Sequence, residues 1–148
     1  MMTTDLLAVV SEAAQRMRPP LTVTASAETG SFDDAYVEMR DGRVLWRIIR
    51  ERSVLTLILA PEFDRRVWYD ADLVHRFFGS KDLVRRDVGR GSTEELRQLM
   101  TISLQDLMED LERLRSSVMT AFDESAWEQT RQQLNELGRR RDAELFGR

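Results

Sequence analysis

The 148-residue chain is expected to fold as an α+β protein, and three observations carry that expectation. Strand-length apolar and alternating runs are confined to residues 21–69, and a heptad-spaced ladder of large apolar residues fills 100–118. The links between the strands are too short for helical crossovers, so the sheet must be an antiparallel meander. One α+β domain over 1–148 is expected, with helix plus sheet in 1–69 and a mainly helical remainder in 70–148.

The elements follow in order. Asp5 to Met17 predicts a helix, with Leu6, Val9, Val10, Ala13 and Met17 on one stripe and Thr4 or Asp5 as its cap. Pro19-Pro20 ends it, because proline lacks a donor and pushes its predecessor out of helical geometry. Four or five strands come next. Leu21, Val23, Ala25 and Ala27 alternate with Thr22, Thr24 and Ser26, the period of a half-buried strand. A second strand over Ala35–Arg40 meets Asp41-Gly42, a strong hairpin signal. Val44–Ile49 and Val54–Leu59 are apolar on both faces and belong in mid-sheet, joined by a turn at 50–53. Arg66–Tyr69 predicts a short fifth strand.

Beyond it the period changes. Asp70 or Asp72 can cap a short helix ending at Gly79, and 80–91 reads as a charged link. Ser92-Thr-Glu-Glu95 is a capping box opening a long helix. Met100, Leu104, Leu107, Leu111, Leu114 and Val118 are spaced 4, 3, 4, 3, 4 within it. Such a stripe must lie against the sheet, another helix or a second copy of the chain; a homodimer through the 100–118 seam is the second option. Ser125-Ala-Trp-Glu128 repeats the capping box and starts a last helix, whose seam Thr130 and Arg141 interrupt, so an exposed, peripheral element is expected.

Composition removes several functions. The chain has no cysteine, which excludes disulfides, thiol nucleophiles and zinc–thiolate sites. No apolar run approaches the ~20 residues of a membrane span. The first residues carry Asp5 and Glu12 where a signal peptide is basic, so a cytoplasmic location is expected. Of the 22 basic residues only Lys81 is lysine, a bias that GC-rich bacterial coding explains better than phosphate binding at a net charge of −4.

The stretch VWYDADLVHRFFG, residues 67–79, holds the only histidine. Asp72 and His75 can share a helix face, but no third ligand stands nearby in a helical metal spacing and no nucleophile is identified. A capped helix accounts for every residue there. Gly89-Arg-Gly-Ser92 resembles an anion cradle, yet Glu94 and Glu95 occupy the first turn where a phosphate would sit. Arg47, Arg50, Arg52, Arg65 and Arg66 with Trp46 and Trp68 could line a nucleic-acid edge, or equally protect a sheet edge.

Charge segregation is the positive signal. Between Glu94 and Glu112 six acidic side chains face one basic residue, Arg97, whereas Arg139-Arg140-Arg141 is basic. The functional expectation is a non-enzymatic protein-interaction module with no catalytic residue, cofactor or metal, binding another protein through acidic surface, to which a basic partner would be complementary. Its contact candidates are Glu28, Phe32, Asp33 and Asp34 in one loop and Asp106, Glu109, Asp110 and Glu112 on the long helix. Bacterial inhibitors, immunity proteins and dedicated chaperones have this size and layout. Two alternatives stand beside it: a small enzyme built around Asp70, Asp72 and His75, and arginine-mediated nucleic-acid binding.

Overall fold

An antiparallel meander occupies the middle of the chain, flanked by helices before and after it. The computed structural model describes the backbone of residues 2–28, 34–51, 54–79, 86–87 and 93–145, and the side chains of 6–27, 34–51, 54–79 and 104–144. The order is α1 (Met2–Arg16), β1 (Thr22–Glu28), β2 (Ala35–Asp41), β3 (Val44–Glu51), β4 (Val54–Pro61), β5 (Tyr69–Asp70), α2 (Ala71–Phe77), β6 (Arg86–Asp87), α3 (Thr93–Ala121) and α4 (Glu124–Leu145). The expected α+β layout is the one observed: helix, antiparallel sheet, short helix, two long helices. No helix among the described residues is long and apolar enough to cross a membrane.

The sheet runs β1-β2-β3-β4-β5. An unforeseen addition lies in the stretch read as a link: Arg86–Asp87 pairs with Leu55 and Val54, on the same edge of β4 that β5 takes at Ile58 and Leu59. The β2–β3 turn sits one residue later than Asp41-Gly42. Asp41 pairs with Val44 as a strand residue, and Gly42 takes the first turn position at φ +60, where a Cβ is disfavoured. The even alternation expected for β1 is broken by a bulge between Val23 and Ala25. Val23 stands opposite Met39, on the helix side, while Ala25 and Ala27 stand opposite Glu38 and Tyr36 on the other face.

Register divides the sheet into two faces. Val37, Met39, Trp46, Ile48, Leu57 and Leu59 point to the helices and are buried. Leu6, Val10 and Ala14 of α1 and Leu104, Leu107, Leu111, Leu114 and Val118 of α3 join them in one cluster that extends to Leu134. The heptad seam, from Leu104 on, is thus covered inside the chain; Met100 lies outside the described side chains. On the opposite face Glu62 pairs with Arg40 and the Trp68 ring lies 4.2 Å from the Arg47 guanidinium, while Phe63 and Asp64 between them meet Trp127 of α4.

One buried ion pair locks α3 to the sheet. Arg115 donates through Nε and Nη2 to the two Asp41 carboxylate oxygens, both at 2.9 Å, and Nη2 also donates to the Pro19 carbonyl at 2.9 Å. Both residues are 7% exposed. The hydrogen bonds to Asp41 hold the guanidinium above its ordinary pKa.

Two helix expectations change. The start of α4 is capped by Asp123, not Ser125: its carboxylate accepts from the Ser125 amide at 3.1 Å and hydroxyl at 2.6 Å. Nor is α4 peripheral. Trp127, Thr130 and Leu134 are buried, and Arg141 reaches Asp70. Of the polar residues that looked like interruptions, Thr130 is buried on the packed face and Arg141 bonds Asp70 from it.

Candidate functional site

Helix α1 carries more apolar surface than the sheet can cover. Leu6, Val10 and Ala14, at steps of four, face the sheet and are fully buried. Val9, Ala13 and Met17 form a second row at the same step, turned toward α3 and only half-buried. Across from them lie Leu104 and Met108 of α3. Between the two rows runs a groove of about 390 Å³.

The rim is acidic. Glu12 and Arg16 form an exposed pair at 2.6 Å on the α1 side. Glu109 and Glu112 stand on the α3 side, both exposed. Glu112 accepts a 3.3 Å hydrogen bond from Arg115, whose charge Asp41 already matches. Among the described residues, three carboxylates against the guanidinium of Arg16 leave two formal negative charges around an apolar floor.

The contact candidates read from sequence therefore separate. Glu109 and Glu112 border the groove. Asp106 and Asp110 are half-buried on another flank of α3; Asp110 accepts from Arg113 at 3.4 Å. Asp34 is half-buried just before β2, and Glu28 closes β1 opposite Ala35. The side chain of Glu28, and all of Phe32 and Asp33, lie outside the described residues. The apolar half of the site was not anticipated, although the surplus width of the first stripe, two rows where one suffices, was its signal.

The alternative site around His75 has a structural explanation. Asp70 caps α2, accepting from the Leu73 amide at 2.8 Å, and takes both Arg141 terminal nitrogens at 2.9 and 3.0 Å. Those bonds hold the Arg141 guanidinium above its usual pKa. Asp72 lies 3.7 Å from the same cation, and His75 is buried. A surface groove beside α2 is lined by Arg76, Phe77 and Leu137 and takes in none of the three. No group of three or more metal-ligating side chains occurs among the described residues.

The arginines named for nucleic acid are mostly engaged within the chain. Arg47 bonds the buried Glu38 at 3.0 Å and stacks between Tyr36 and Trp68. Arg50 is itself buried, and Trp46 lies in the core. Arg65 is exposed, and Arg52 is outside the described residues. Arg66 chelates Asp64 at 2.8 and 3.0 Å, and Trp127 Nε1 donates to the same carboxylate at 2.9 Å.

Asp64 gives a pH expectation. Hydrogen bonds from Arg66, then from Trp127, hold its carboxyl well below the ordinary value of 3.8. The folded state therefore takes up this proton less readily than the unfolded chain. Its stabilising contribution is complete well above pH 3.8 and drains away as pH falls below that value. Urea melts between pH 6 and pH 2 are expected to show Asp64→Asn losing less stability on acidification than the parent; parallel losses in the two proteins would contradict this.

No family model matches the chain, and neither the curated proteins nor the solved structures offer a match.

Proposed function

We propose that the chain is a non-enzymatic protein-interaction module that holds a partner protein at the α1–α3 groove. The observation that carries this reading is the half-buried row Val9, Ala13 and Met17, facing Leu104 and Met108 under an acidic rim. An apolar floor supplies affinity by excluding water, and rim charges supply selectivity and encounter rate. This is the division of labour found in interfaces: an apolar centre and a polar border. The cytoplasmic inhibitor, immunity-protein or chaperone role expected from size and layout belongs to the same proposal.

Rim and floor predict different kinetic signatures. Glu109→Gln combined with Glu112→Gln is expected to slow association roughly tenfold at low salt, the low end of what steering achieves, with the gap closing as salt rises. Asp142→Asn, an exposed change on α4, serves as control. Stopped-flow capture of the partner measures both. Equal association rates for rim variant and parent at low salt would remove the rim from the interface.

A further inference from the structure

We infer that the segment held in this groove is an amphipathic α-helix of the partner, with arginine or lysine flanking its apolar stripe. The inference rests on the interaction reading above and adds the chemistry of the occupant.

The walls decide the conformation. Both are α-helices whose backbone donors and acceptors bond internally along the groove, so they offer only side chains to a ligand. An extended segment lying there would bring amide and carbonyl groups into an apolar slot with nothing to pair them. A helix arrives with its backbone already satisfied and presents an apolar stripe. Residues spaced i, i+3, i+4 and i+7 meet such a groove as a ridge meets a furrow.

Length and charge narrow it further. The row from Val9 to Met17, which stands one residue past the end of α1, spans eight residue steps, about 12 Å at helical rise or slightly more than two turns, enough for three or four anchors of one stripe. At the mouth, Glu12, Glu109 and Glu112 outnumber Arg16, so the border of the incoming helix must be basic. Arg16 is no obstacle. Its pair with Glu12 is solvent-exposed, with 77% and 65% of the side chains accessible, and an arriving guanidinium can replace it. Arginine fits better than lysine because its fork can grip a carboxylate through two bonds.

The test uses the full chain with methyl-labelled methionine and a fluorescent peptide of about 18 residues, five helical turns. One peptide carries leucine at i, i+3, i+4 and i+7 with arginine on both flanks. A second has the same composition shuffled so that no stripe forms, and a third replaces arginine by glutamate. The patterned basic peptide is expected to bind saturably, to gain helical circular dichroism, and to shift the Met17 and Met108 methyl signals. Glu12→Arg with Glu109→Arg is expected to weaken it by about tenfold or more. Equal affinity for the shuffled peptide, or no shift at Met17 and Met108, overturns the helix assignment.

A photo-crosslinker at position 109, used in the native host, separates that failure from failure of the broader reading. A partner trapped there through a basic helical stripe supports both. A partner trapped through a segment without such a stripe overturns the helix and leaves the interaction module standing. Cross-links absent from position 109 while the chain is folded overturn both.

Discussion

Replacing Arg115 by alanine is expected to cost about 3–5 kcal/mol of unfolding free energy, the range for stranding one member of a buried ion pair. The guanidinium makes three bonds at 2.9 Å, two to Asp41 and one to the Pro19 carbonyl. With it gone, a carboxylate 7% exposed faces no cation, and burial of an unpaired charge is what destabilises. The pair itself need not be favourable relative to apolar residues. Asp41→Leu with Arg115→Met is therefore expected to recover most of the loss, because the desolvation penalty disappears with both charges. Urea midpoints with unchanged slopes measure each step. A loss below about 1 kcal/mol for Arg115→Ala is the scale of a solvent-exposed pair and would sink the argument.

The difference between local and distant information explains what could be read from the chain. Period-two and heptad patterns are local, and they placed β2, β3, β4 and the α3 seam close to where they stand. Pro19-Pro20 closed α1, Asp70 capped α2, and the hairpin at Gly42 was off by one position. That offset has a distant cause: Asp41 is held in the strand by Arg115, 74 residues away. The same holds for Asp64 with Trp127 and Asp70 with Arg141, separated by 63 and 71 residues. Arg141 looked like an interruption of an apolar stripe because its partner, Asp70, lies on another element. The β1 bulge and the Arg86–Asp87 pairing depend on neighbours that the local pattern does not name.

The groove belongs to the same category. Glu109 and Glu112 could be singled out by charge alone, whereas Asp106 and Asp110, equally acidic, are carried to another flank by the 100° step of the helix. Only the packing of α1 against α3 reveals that the acids worth keeping border apolar surface. Arg115 connects that site to the fold. It anchors α3 beside Glu112, so the orientation of one groove wall depends on the buried pair. Variants of Arg115 should consequently disturb groove methyl signals even where the protein remains folded.

Trp127→Ala is the second large expected effect, about 3–5 kcal/mol, the range for truncating a buried aromatic. The ring is 5% exposed, with Phe122 at 4.8 Å, Tyr69 at 6.0 Å and Phe63 at 6.5 Å between centroids. Edge-to-face contacts with the last two tie the stretch after β4 to α4. Nε1 adds the bond to Asp64, and Tyr69 completes the junction by donating to Asn135 at 2.8 Å. Trp127→Phe separates packing from hydrogen bonding. It keeps most of the apolar volume, and Asp64 retains Arg66, so a loss of about 1–2 kcal/mol is expected. The phenylalanine variant should also raise the Asp64 carboxyl toward its ordinary value, since one of the bonds lowering it is gone. The stability that Asp64 loses on acidification below its ordinary value of 3.8 should then be smaller than in the parent. If alanine and phenylalanine cost the same, the indole contributes through its hydrogen bond alone, and the aromatic junction is not what holds α4 to the sheet edge.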